Sequence, residues 1–141
     1  MNLSSPSNRP EAERSQASRP TWTPSAYILE VAPYDDSLIS ELIGVFKTST
    51  EASLQQMRTA LATGDVPRLR SAAHKVRGSA EQLGADALAE ACLILELASS
   101  LTSVLRLAEL VGRCQEIFGE TENAMTSYSN DSKAGNLTAR P

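Results

Sequence analysis

From Tyr27 to Phe118 apolar residues recur every three or four positions, which is the spacing of amphipathic helices. Thr23-Pro24 reads as a cap followed by proline in a first turn, opening a short helix with Tyr27, Ile28 and Val31 that Pro33 closes. Asp35 or Asp36 can cap a second helix, with Leu38, Ile39, Leu42, Val45 and Phe46 on one face. Thr48-Ser49-Thr50-Glu51 has capping-box spacing and predicts a new start, for a helix bearing Leu54, Met57 and Leu61. Gly64-Asp65 predicts a stop and a cap, with Pro67 tolerated in the first turn of the central helix, which Gly84 ends. Asp86 is expected to cap a segment with Leu88, Ala91, Cys92 and Leu95. Ser103 is expected to cap a last helix with Val104, Leu107, Ala108, Val111, Gln115 and Phe118.

No stretch alternates as a strand does. Short connections between long helices force antiparallel neighbours, so the pattern predicts an all-α fold. Its architecture is an up-down-up-down antiparallel four-helix bundle with a short preceding helix. Residues 1–22 and 128–141 are polar and without periodicity; they read as a disordered arm and a disordered tail around a folded unit over 23–127.

Composition narrows the function classes. Aromatics are 4% of the 141 residues, while Ala and Leu recur, a bias that suits close-packed helices. A net charge of −4 and a pI near 5.0 argue against a nucleic-acid binder. There is no apolar run of about 18 residues to span a membrane, and no secretory signal pattern opens the chain. A cytoplasmic protein is the expectation. Cys92 and Cys114 have no metal-ligand spacing and fall among apolar helical positions, so they read as small, reduced core residues.

The central helix contains the one histidine of the chain, His74. Projected at about 100° per residue, Leu69, Ala72, Ala73, Val76, Ala80 and Leu83 form one apolar arc, and His74 lies roughly 150° from its centre. It is therefore expected in solvent. Arg70, four residues back, and Arg77, three ahead, share its surface, with Lys75 and Ser79 flanking. Gly78 lies one turn on, where glycine costs about 1 kcal/mol relative to alanine, so something should compensate for it. A missing side chain beside the imidazole leaves room for another protein to reach the ring. A neutral imidazole nitrogen is a competent nucleophile, and neighbouring Arg and Lys charges suit phosphate oxygens. Glu81 opposes that field in part. Periodicity alone leaves open an exposed histidine with no role. The bundle carboxylate metal sites need Glu-x-x-His, and Ser71 stands three before His74, so no metal is expected.

The run Ala73-His74-Lys75-Val76-Arg77-Gly78-Ser79-Ala80, continuing through Leu83-Gly84-Ala85 to Leu88, Cys92 and Leu95-Glu96, resembles the histidine-containing phosphotransfer (HPt) domain. The helix Leu38 to Phe46 and the Ala60 to Asp65 turn extend the likeness, which covers about Ser25 to Ser127. The resemblance implies a phosphorelay intermediate. Its histidine takes a phosphoryl group from a receiver-domain aspartate, often on a hybrid sensor histidine kinase, and delivers it to the receiver of a response regulator. It also implies that Mg²⁺ is supplied by the receiver, with no cofactor on this chain. By position His74 is the phosphoacceptor, Arg77 stands where the family usually has lysine, and Gly78 is the clearance residue. Lys75 and Ser79 belong to the flanks of the motif. Arginine keeps the charge of lysine but changes its geometry. Thr102-Ser103 departs from the usual Gly-Asp before the final helix, though serine can still cap. Two rivals are a histidine kinase fragment and a non-catalytic adaptor. The first needs a Gly-rich nucleotide site, which these 141 residues lack; the second would be expected to have lost the histidine or its glycine. A carrier that must expose its histidine to successive receivers is expected to be monomeric, with neither nucleic acid nor membrane as partner.

Overall fold

The computed structural model describes residues 22–139, with side chains through Asp131. Five helices follow in order: α1 (Ala26–Val31), α2 (Asp36–Thr63), α3 (Val66–Leu83), α4 (Asp86–Glu96) and α5 (Val104–Ala139). Helices α2 to α5 form a closed ring in which each packs on the next and α5 returns to α2; α1 lies across α2 and α3. The fold is the all-α four-helix bundle with a short leading helix, and there is no strand among the described residues.

Local chemistry explains most of the boundaries. Asp35 accepts from the Leu38 amide and Asp65 from the Arg68 amide, so each satisfies an orphan donor at a helix start. Pro67 sits in the first turn of α3, where a missing N–H costs nothing. Gly64 and Gly84 end α2 and α3 in the left-handed conformation, with φ of 72° and 80°. The Ser103 hydroxyl caps α5 through the Arg106 amide.

Several expectations differ from the structure. The first helix is capped by Ser25 and not by Thr23-Pro24. Residue Ala85 precedes α4 without a side-chain cap, and Asp86 stands in the first turn, where its charge meets the positive helix end. The largest difference is the expected restart at Thr48-Ser49-Thr50-Glu51, because α2 runs unbroken for 28 residues. No Gly or Pro stop precedes that motif, so continuing the helix satisfies every amide a cap would have served. Thr50 is buried in mid-helix, and its hydroxyl has no partner among the described residues.

All six residues of the α3 apolar arc are buried. They share one core with Ile43, Phe46, Leu54 and Met57 of α2, Leu88, Cys92 and Leu95 of α4, and Val111, Cys114, Phe118 and Met125 of α5. Phe46 and Phe118 pack with ring centroids 6.2 Å apart. Each fully buried aliphatic side chain contributes roughly 1.5–3 kcal/mol, which outweighs any single propensity term. Tyr27, Val45 and Val104, expected on core faces, are exposed, as is Ala108. Cys92 and Cys114 are buried and unbridged.

Both ends of the folded unit lie beyond the expected limits. Trp22, assigned to the arm 1–22, is buried; its Nε1 donates to the Leu83 carbonyl at 2.8 Å. Its ring meets Tyr128 edge-on, with centroids 5.5 Å apart. The rest of that arm, residues 1–21, lies outside the described residues. The tail expected over 128–141 is helical through Ala139. The start of α2 projects past the α3–α4 turn and needs a partner there, and α5 supplies it: Ser40 hydrogen-bonds Ser129 and Lys47 reaches Thr126.

Candidate functional site

His74 stands near the middle of α3, facing away from the core, with 67% of its side chain exposed. The stops at Gly64 and Gly84 fix the register of α3, and the buried arc on its opposite face fixes its rotation. Because α4 turns back along α3, its last residue reaches the same level. Glu96 Oε1 lies 2.7 Å from His74 Nδ1.

Glu96 is held from a second side. Arg77 Nε donates to Glu96 Oε2 and Arg77 Nη2 to Oε1, while Arg77 Nη1 donates to Glu81 Oε1 at 2.9 Å. The hydrogen bond from Arg77 holds the Glu96 carboxyl below its usual range, and the His74 contact adds to this against the cost of burial. In turn Glu96 first, then Glu81, raises the affinity of the Arg77 guanidinium for its proton. Glu96 is therefore an ionised carboxylate and can only accept. It follows that the proton of a neutral His74 sits on Nδ1 and the lone pair is on Nε2. Arg77 Nη2 also lies 3.3 Å from Nδ1, but two donors cannot bond one another, so this is a contact only.

The other expected site residues separate into two groups. Arg70 shares the surface of His74, and its Nε donates to the Glu96 carbonyl at 3.0 Å. With Pro67, Ser71, His74 and Glu96 it lines an open depression of about 370 Å³. Lys75 and Ser79 form no side-chain hydrogen bond or ion pair with another described residue. Gly78 lies in open space: a Cβ built on it would meet no atom within 4 Å. Gly44, Gly112 and Gly119 are equally open, so the distinction of Gly78 is its place one turn from the imidazole.

Two features were not foreseen. Glu81, expected to weaken the positive field, instead anchors the far side of Arg77. Glu96 was not singled out as a partner of His74 at all. Hairpin symmetry carries the missing signal: His74 lies nine residues before the end of α3 at Leu83, and Glu96 lies ten after the start of α4 at Asp86. In a tight antiparallel pair those positions face each other. Among the described residues no group of three or more His, Cys, Asp or Glu is placed to hold a metal ion. No described helix is long and apolar enough to cross a membrane.

The family model described as the Hpt domain matches residues 41–126, which is more than half of the chain and contains α3, α4 and the site. The chain belongs to the Hpt domain family, whose members are histidine phosphotransfer modules of phosphorelays and interact with receiver domains. Neither a curated protein nor a solved structure matches it.

Proposed function

We propose that His74 is the phosphoacceptor of a phosphorelay intermediate. In this reading the protein takes a phosphoryl group from the receiver aspartate of a sensor kinase and passes it to the receiver aspartate of a response regulator. The observation that carries the reading is the bond between Nδ1–H and Glu96, which leaves the Nε2 lone pair as the nucleophile on an exposed ring. Attack by Nε2 on an aspartyl phosphate forms the N–P bond as the acyl P–O bond breaks, and the aspartate carboxylate leaves with the electron pair. The ring gains positive charge in that step, and the Glu96 carboxylate stabilises it across the Nδ1–H bond. The reverse sequence on a second receiver returns the phosphoryl group to an aspartate.

The Mg²⁺ that neutralises the transferring oxygens is assigned to the receiver. This fits a site whose two nearest carboxylates, Glu96 and Glu81, are both bound by Arg77. The protein is then a carrier and not a kinase, acting as a cytoplasmic monomer. Gly78 gives the receiver clearance on one side of the ring. Leu93 and Leu97 are exposed one turn before and one residue after Glu96, and form an apolar rim for a small, transient interface.

The test mixes the protein with ³²P-labelled receivers and follows the label. Wild-type protein should acquire a phosphoryl group labile to acid and stable to base, and His74→Gln should acquire none. Equal labelling of the two proteins would refute the assignment.

A further inference from the structure

Three cationic side chains surround His74, and the structure gives them unequal freedom. Arg77 has Nε and Nη2 on Glu96 and Nη1 on Glu81. Turning it toward a phosphoryl group would strip Glu96, whose side chain is only 16% exposed, of its counter-charge. Lys75 is one residue on from His74, about 100° around the helix, and does not line the depression beside the ring.

Arg70 differs from both. Its Nε is fixed on the Glu96 carbonyl, while its Nη1 and Nη2 have no partner among the described residues. The depression it lines is bounded otherwise by the imidazole, Ser71, Pro67 and Glu96. A phosphoryl group presents three acceptor oxygens and close to two negative charges. A guanidinium held at one nitrogen, with two donors left over, is pre-oriented to receive them.

Resting on the reading of His74 as phosphoacceptor, we infer that Arg70 binds the phosphoryl oxygens on His74, while Arg77 is a positioning residue that acts only through Glu96. The labour of the motif is thereby divided. Arg77 keeps the orienting carboxylate ionised and its charge compensated. Arg70, one turn back on α3, meets the transferred group.

Phosphoramidate tests this without a partner protein. Nε2 attacks phosphorus, the P–N bond of the donor breaks, and ammonia leaves with the electron pair after protonation by water. The chain has a single histidine, so phosphohistidine formed is phospho-His74. Arg70→Gln keeps an amide donor for the Glu96 carbonyl but removes the charge, and Arg70→Lys keeps the charge. Losing one charge-assisted contact should slow phosphorylation by about ten-fold in Arg70→Gln, while Arg70→Lys stays within about three-fold of wild type. A wild-type rate in Arg70→Gln would overturn the inference. So would equal impairment of Arg70→Gln and Arg70→Lys, since the positive charge would then not be what matters. Phosphohistidine that forms in wild type and is absent in His74→Gln upholds the acceptor whatever Arg70 does. Its absence from wild type defeats the underlying reading instead.

Discussion

At the scale of single residues the site is decided by a carboxylate with two neighbours. Glu96 accepts from His74 on one oxygen and from Arg77 on both, and these bonds favour its ionised form over the protonated one. Its folded pKa is thus lower than the ordinary value of 4.5. A depressed carboxyl stabilises the fold above its unfolded pKa, and that stabilisation disappears as pH falls through the folded value. Wild-type protein should therefore lose more stability than Glu96→Gln as pH is lowered from about 6 to 3, measured by urea denaturation at each pH. Parallel losses would show that Arg77 and His74 do not hold the carboxylate. His74 and its outward direction were legible in the sequence because one buried stripe fixes the rotation of α3. Glu96 was not, because its contact depends on how tightly α4 folds back, a tertiary fact that periodicity within either helix does not contain.

At the scale of elements, two glycines six residues apart have opposite structural roles. Gly84 ends α3 at a positive φ of 80°, and a Cβ there would lie 2.9 Å from the Thr23 carbonyl and 3.0 Å from the Ser25 amide. Gly78 is in the helix interior with open space around it. Gly84→Ala should lower stability by roughly 2 kcal/mol through the left-handed backbone and the collision with the incoming chain. Gly78→Ala should raise it by about 0.5–1 kcal/mol, as expected for alanine in an unobstructed helix. Gly78→Gln should keep the helix and slow transfer from a receiver. Chemical denaturation and circular dichroism separate the first two, and wild-type transfer by Gly78→Gln would remove clearance as the reason for the glycine. Stops of this kind were readable because Gly-Asp and Leu-Gly-Ala state a helix end directly. The false restart at Thr48 to Glu51 was not, since a capping motif without a preceding breaker is also an ordinary helical surface. Within the continuous helix Thr50 and Ser53 are buried against the bundle.

At the scale of the whole molecule, the bundle separates the packed end at Trp22 from the middle of α3 that holds His74. Trp22 closes the α3–α4 turn by donating to the Leu83 carbonyl and meeting Tyr128 edge-on, so residues from both expected tails meet at one place. Each was hidden by polar sequence neighbours, and neither has a periodic context that would mark it as core. His74 lies nine residues before Leu83, about 13 Å along the axis of α3, and the intervening helix is held by the buried Val76 and Ala80. Trp22→Ala should consequently cost about 3 kcal/mol of stability, the low end for removal of a buried tryptophan, because the site is at the rim. The rate of phosphohistidine formation should be unchanged at temperatures where both proteins are folded, since neither Glu96 nor Arg70 touches that end. A rate that fell with the stability, in protein shown by circular dichroism to be fully folded, would mean the turn sets the position of α4, and with it the carboxylate that orients the ring.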